Sequence, residues 1–309
     1  MQIFTDLRPE QQHTAAALGF FDGVHRGHRR VLGGAARQSE NGLLPVCLTF
    51  SQSPKSFFSG APIPLLMERG DKLRALESVG IEHVYLADFR SLMHLSARDF
   101  FKTVLVDTLN VRALFCGFNY RFGKNAEGDT AVLQDLCDSF GVSLTVVPPE
   151  KDNGEVVCST LIKSLISRGE VRRANDLLGS RFGFSAVIRH GKRLGHSLGT
   201  PTINQLPAEG LIVPKFGVYV SEVTLQSGER LCGVTNVGVK PTVGATAPLW
   251  ETWMPRYGAG ELYGETADVR LLDFIREERR FNSLEALREE ILKNAQQALK
   301  VYDESFAVI

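Results

Sequence analysis

The amino-acid sequence predicts two domains of different class: a doubly wound α/β domain, then a small antiparallel β barrel or sandwich with a C-terminal helix. Three observations carry this. The chain has 309 residues, about twice the usual single-domain size of roughly 150 residues. Its first half alternates short, near-continuously apolar runs with helix-length stretches. Past Gly179, β-rich segments follow one another across Gly-, Pro- and Ser-containing turns with no helix between them.

In the first half the strands are expected at "TAAALGF" (Thr14 to Phe20), "LLPVCLTF" (Leu43 to Phe50), "HVYLA" (His83 to Ala87), "RALFCG" (Arg112 to Gly117) and "SLTVVP" (Ser143 to Pro148). Helices are expected over His25 to Gln38, Asp71 to Val79, Ala97 to Leu109 and Thr130 to Phe140. Strands that alternate with helices pair in parallel through right-handed crossovers. "STLIKSLISRGEVRRANDLLG" reads as a helical pair closed by Gly179, which sets the division at residues 1–180 and 181–309. The later strands are "FGFSAVIRH", "GVYVSEVTL", "ERLCGVTNVGV", "PLWETWM" and "TADVRLLDF". In the last element, Leu284, Leu287, Ile291, Leu292, Ala295, Ala298 and Leu299 recur at helical spacing behind Ser283 as N-cap, and one face should pack on the sheet.

Composition limits the classes of function. Hydrophobic residues make up 43% and charged residues 23%, which excludes disordered and fibrous chains. The 35 basic residues balance 35 acidic ones, so no global field holds a nucleic acid, and phosphate binding must be local. Five scattered cysteines without metal-ligand spacing read as reduced thiols in a cytoplasmic protein. The N-terminus has no signal-peptide pattern and no apolar run is long enough to span a membrane.

Two stretches carry chemistry. In "LGFFDGVHRGHRRVLGGA", an apolar strand ends at Leu18, a tight Asp22-Gly23 turn follows, and a helix begins. Backbone N–H groups then gather at the carboxyl end of a sheet, where α/β folds bind anions. Gly19, Gly23 and Gly27 allow close approach of a phosphate, and His25 and His28 meet at the helix start. Spacing alone leaves other readings open: a partly buried polar pair, or two metal ligands lacking a third His or adjacent Cys. Asp22 also suits a plain turn. The second stretch, "RHGKRLGHSLGTPTINQ", places glycines every four residues among Lys192, Arg193 and His196. That suits either a basic loop over phosphates or a solvated surface turn.

"GFFDGVHRGH" resembles the G-x-F-D-G-x-H-x-G-H signature of the adenylyltransferase domain of bacterial bifunctional riboflavin kinase/FAD synthetases, within the HxGH nucleotidyltransferase group. "CGFNYRFG", the Gly128-Asp129 pair and "CSTLIKSLISRGEVRRANDLLG" follow in that family's order. The resemblance implies a Rossmann-like HxGH nucleotidyltransferase domain that transfers AMP from ATP to FMN. His25 and His28 would hold the ATP phosphates, with Gly19, Phe21, Asp22, Gly23, Asn119 and Asp129 at the nucleotide. Ser159, Thr160 and Lys163 would contact phosphates; read by themselves, Asn119 also suits a turn cap and the Ser159-Thr160 pair a helix cap. No strong base is needed, because the phosphate of FMN is already anionic.

"GTPTIN" is similar to the G-x-P-T-A-N motif of riboflavin kinases, and "VPKFGVYV", "CGVTNVGVKPTVG", "LWETWM", "ELYG" and "REERRFNSLEAL" follow in that order. The resemblance implies that Thr202 and Asn204 serve Mg²⁺ with ATP, that Gly191, Lys192, Gly199, Pro201 and Asn236 line the nucleotide and substrate site, and that Glu251 is the base for the ribityl hydroxyl. By itself Glu251 also reads as a solvent-facing strand residue. Riboflavin, FMN, FAD and ATP are the expected partners. Lys163 stands where the family has Arg, "SQSP" (with Ser53) where it has a P-H-P-like element, Leu161 where it often has Arg or an aromatic, and Trp253 where it has His. The competing expectations are a protein in which one half works, most plausibly the kinase, a flavin-binding regulator without turnover, and a nucleotidyltransferase for another substrate. Phe57, Phe58, Trp250, Trp253 and Tyr257 are each readable as core or as platforms for the flavin ring.

Overall fold

The computed structural model describes residues 1–190, 199–242, 245–258 and 260–305. It divides into two compact units, one of Met1–Ile63 with Arg69–Ser159, the other of Pro64–Glu68 with Thr160–Ile309.

The first unit holds a parallel sheet of β1 (Gln2–Phe4), β2 (Thr14–Leu18), β3 (Leu44–Phe50), β4 (His83–Ala87), β5 (Val111–Gly117) and β6 (Ser143–Val147) in the order β1-β4-β3-β2-β5-β6. Strand order reverses at β2, so the crevice beyond the ends of β2 and β5 is the topological switch point. Every residue of β2 is buried, as a central parallel strand requires. Connecting helices are α1 (Arg26–Ala36), α2 (Pro54–Ser59), α3 (Arg69–Ser78), α4 (Phe89–Leu92), α5 (Ala97–Asp99) and α6 (Thr130–Phe140). Over Phe100–Thr108 the helix widens into π winding, which keeps Phe100, Phe101, Val104 and Leu105 in the core. β6 differs from the expectation of a doubly buried strand. It lies at the sheet edge with Val146 37% exposed, because only one neighbour covers it. A short hairpin, β7 (Lys151–Asp152) and β8 (Glu155–Val156), follows.

Helix α7 (Ser159–Ser167) begins on the last residue of the first unit and, from Thr160 on, opens the second, followed by α8 (Val171–Leu178). The left-handed Gly179 closes α8, and Asn175 bonds both the Phe182 N–H and the Leu271 carbonyl at 2.8 Å. Antiparallel strands β9 (Gly183–Val187), β10 (Thr202–Gln205), β11 (Gly217–Leu225), β12 (Arg230–Thr242), β13 (Ala245–Trp253) and β14 (Thr266–Arg276) pair in the order β10-β13-β12-β11-β14-β9. The outcome is one curled half-barrel rather than a sandwich, and an isolated bridge from Arg189 to Asn204 links its two edges. Its inner face packs Trp250 edge-on to Phe184 and carries a hydroxyl ladder, Ser221 to Thr235 at 2.7 Å and Thr235 to Thr252 at 2.8 Å. Trp250, only 1% exposed, is therefore core. Pro64–Glu68 belongs here as well, with Leu65 N–H bonded to the Gly210 carbonyl at 2.7 Å.

Helix α9 (Leu284–Glu304) covers Val218, Val220, Cys232, Val234 and Leu272 with Ala295 and Ala298. The expected packing face is correct only in its C-terminal part: Leu284 and Leu292 are 58% and 43% exposed, while Asn294 is buried instead. Small alanines let the helix approach the sheet where the longer side chains would hold it off. Ser283 caps α9, accepting the Ala286 N–H at 3.1 Å. Ser283→Ala is expected to cost about 1 kcal/mol, read from the denaturant midpoint, with both activities unchanged.

Candidate functional site

The first site is the loop between β2 and α1, at the switch point. Phe21, Gly23 and Val24 all take positive φ, of 55°, 90° and 40°. Only glycine adopts this region freely, so the turn stores strain at Phe21 and above all at β-branched Val24. A Cβ at Gly19 would lie 2.9 Å from the ring of Phe21, which makes that glycine a requirement of the buried ring. Asp22 is 7% exposed, and its carbonyl accepts from the Ser159 hydroxyl at 2.9 Å.

His25 is the N-cap of α1. Its Nδ1 accepts the His28 N–H at 3.3 Å, which puts its ring proton on Nε2. The two imidazoles stack with centroids 3.6 Å apart, and Phe21 meets His28 edge-on. Burial pulls His25 down to about 4. His28 is held well below its ordinary value, first by burial and then by the neighbouring His25 and Lys72 charges. Both rings are thus neutral at pH 7, each with one N–H. His28 Nδ1 is buried without a hydrogen-bond partner among the described residues. Asn119 follows β5, the strand beside β2, and is exposed with its amide near Gly117. Asp129 caps α6, accepting the Ala131 and Val132 N–H groups, and pairs with Arg121 at 3.4 Å. Those backbone bonds hold its carboxyl below the usual range.

The second site is a row on the half-barrel. Asn204 of β10 lies opposite Glu251 of β13, which lies opposite Asn236 of β12. Residues directly opposite share a face, so all three project from the side that α9 covers further along, where Val218 is opposite Asn236. Thr202 is opposite Trp253 on the same face, two residues along each strand. Asn204 is 5% exposed; its Oδ1 is buried with no hydrogen-bond partner among the described residues, and its amide N–H points to the Thr202 carbonyl at 3.5 Å. Asn236 donates to Glu278 Oε1 at 3.2 Å. Gly199 and Pro201 lead into β10; Gly191 and Lys192 lie outside the described residues.

A family model described as FAD synthetase matches residues 7–161, and one described as riboflavin kinase matches residues 178–302. The bifunctional riboflavin kinase/FMN adenylyltransferase of Escherichia coli (strain K12) is 33% identical over 287 residues, covering 92% of this chain and 91% of that protein. Its counterpart from Bacillus subtilis (strain 168) is 31% identical over 303 residues, covering 96% and 95%. The chain belongs to the bifunctional riboflavin kinase/FMN adenylyltransferase family. It is a transferase with both activities, making FMN from riboflavin with ATP and FAD from FMN with release of pyrophosphate. A solved structure described as a macrolide-efflux protein from Streptococcus pneumoniae superposes with a TM-score of 0.86 at 27% identity, covering 95% of this chain and 97% of that one. No described helix here is long and apolar enough to cross a membrane.

For this riboflavin kinase/FMN adenylyltransferase family member, the structure gathers Gly19, Phe21, Asp22, Gly23, His25, His28 and Ser159 at one loop, and Thr202, Asn204, Glu251 and Asn236 on one face of the half-barrel. Thr160 and Lys163 stand in the first turn and the next of α7. Three features at the first site escaped sequence reading. Glu150 binds Arg26 and Arg30 of α1, each at 2.9 Å. Thr49 Oγ1 donates to the Phe20 carbonyl at 3.0 Å, and Lys72 Nζ reaches the same carbonyl. The available signal for Lys72 was its place four residues before buried Leu76, on the apolar side of α3.

Proposed function

We propose that the β2–α1 loop binds the triphosphate of ATP for adenylyl transfer, and that the Asn204–Glu251–Asn236 row is the centre of phosphoryl transfer. The observation that carries the second assignment is the shared register of an amide, a carboxylate and an amide across adjacent strands. In FMN formation the ribityl hydroxyl attacks the γ-phosphorus, Glu251 takes the hydroxyl proton, and ADP leaves. In FAD formation a phosphate oxygen of FMN attacks the α-phosphorus, and the bond to pyrophosphate breaks. His25 and His28 supply neutral N–H donors to the phosphate oxygens, Asn119 adds its amide, Ser159 stands at the loop through its bond to the Asp22 carbonyl, and Thr160 and Lys163 are assigned to the phosphates. Asp129 acts through the start of α6, which it caps.

Thr202 and Asn204 are assigned to Mg²⁺. The buried, unpartnered Asn204 Oδ1 is the kind of hard oxygen donor this cation prefers, beside the Thr202 hydroxyl. When bound with ATP, Mg²⁺ offsets charge on the phosphates. Functional domains of 1–180 and 181–309 belong to the same proposal, supported at the start of α7 by the Ser159 hydroxyl bonded to the Asp22 carbonyl. The free thiols of all five cysteines support residence in the reducing cytoplasm.

The test is a time course with riboflavin, ATP and Mg²⁺, resolving the flavins. FMN should appear first and FAD after it. In Asn204→Ala the Mg²⁺ concentration for half-maximal FMN formation should rise by about tenfold or more, while FAD formation from supplied FMN stays unchanged. An unaltered Mg²⁺ dependence would remove Asn204 from the metal site.

A further inference from the structure

Lys72 has no part in the assignments above, yet it is a cation buried to 8% exposure on α3. Its Nζ donates to the Phe20 carbonyl and, at 2.9 Å, to Thr49 Oγ1, and it stands 4.3 Å from the centroid of the Phe20 ring. The Thr49 hydroxyl in turn donates a hydrogen bond to the same carbonyl at 3.0 Å. A site that needed only packing would take Leu or Met, because an ammonium loses its hydration there. The cation must therefore hold something.

What it holds is the near end of the strained turn. Phe20 immediately precedes Phe21, the first left-handed residue, and the turn ends at left-handed Val24. Such backbone persists only where the surroundings over-determine it. The middle is tied by Ser159 to the Asp22 carbonyl, and the far end by the His28 N–H to His25 Nδ1. Inside the turn the Val24 N–H bonds the Phe21 carbonyl at 3.3 Å, and before it the Gly19 N–H bonds the Leu48 carbonyl at 3.3 Å. The Phe20 carbonyl is the anchor held by a side-chain cation, and a charge-assisted bond is the strong way to fix it.

We propose that Lys72 is a positioning residue for adenylyl transfer: with Thr49 it clamps the Phe20 carbonyl, and so fixes the turn that aims His25 and His28 at the triphosphate. The proposal rests on the reading of this loop as the ATP site. Lys72 does not touch the reacting atoms and acts through the loop. The groups facing it are Asp22 on the loop, His28 on α1 and Cys47 on β3. Burial lowers the Lys72 ammonium to about 8 against the opposing pull of Cys47 and Asp22. Burial pushes the Cys47 thiol up to about 12, and His28 is already neutral, so neither changes charge near pH 8.

The experiment uses the full chain, with FAD formation from FMN followed between about pH 6.5 and about 9, and FMN formation as the internal control. In Lys72→Met, kcat for FAD formation should fall by about tenfold or more with KM for FMN within about twofold. Kinase activity should be unchanged. The wild type should lose activity as pH rises past about 8; Lys72→Met should be flat there, and Lys72→Arg should recover part of kcat and move the decline to higher pH. Thr49→Val, which removes half the clamp and keeps the charge, should give an intermediate loss with the alkaline decline retained. If Lys72→Met melts before assay, Thr49→Val and the wild-type pH profile decide. FAD formation within about twofold of wild type in Thr49→Val and Lys72→Met, with the alkaline decline intact in the latter, overturns the clamp. His28→Ala separates the two levels: loss there without loss in the clamp variants removes only Lys72, whereas no loss in any of them removes the loop as the ATP site.

Discussion

Glu251→Gln is expected to lower FMN formation by on the order of a hundredfold or more while leaving FAD formation from supplied FMN intact. The substitution keeps the size and planarity of the side chain, and with them the row in which position 251 stands between Asn204 and Asn236. It removes the capacity to accept a proton. The hydroxyl of riboflavin is a poor nucleophile until that proton is taken, so the loss falls on kcat more than on KM. The adenylyl-transfer half uses an oxygen already charged and has no need of this carboxylate. Equal loss of both activities would refute separate sites, and retention of FMN formation would move the base elsewhere.

His28→Ala should do the reverse, cutting FAD formation by on the order of 10² to 10³ and sparing the kinase reaction. The imidazole is stacked 3.6 Å from His25 and bounded edge-on by Phe21. Its removal costs both a donor to the phosphates and the contact that orients the second donor. Because Ala also opens space beside Phe21, a thermal melt belongs with the kinetics. A variant that melts normally and forms FAD at the wild-type rate would exclude His28 from the chemistry.

How much of this was legible in the chain depends on where the physical signal lies. The central strands were readable because burial on both faces demands continuous apolar runs, as at Thr14–Leu18 and Leu44–Phe50. Edge pieces were not: β1 is three residues long and mostly exposed, and β6 looks like a core strand in composition while only one neighbour covers it. The histidine loop was legible as a motif, but the neutrality of its rings comes from burial, which no local pattern states. The Asn204–Glu251–Asn236 row depends on register between strands, with β10 far from β12 and β13 in the chain, and only family resemblance brought those positions together beforehand. Lys72 was hidden for a related reason. A lysine in the first turn of a helix ordinarily lies in solvent, and only the tertiary position of the Phe20 carbonyl makes it a buried donor.

The stacked imidazoles have one more consequence, for acid stress. His25 stays neutral down to about pH 4 and burial holds His28 well below its ordinary value too, so the pair presents the same N–H groups through mild acidification. With this loop read as the ATP site, FAD formation is expected to hold its rate through a fall in pH that would charge an ordinary surface histidine.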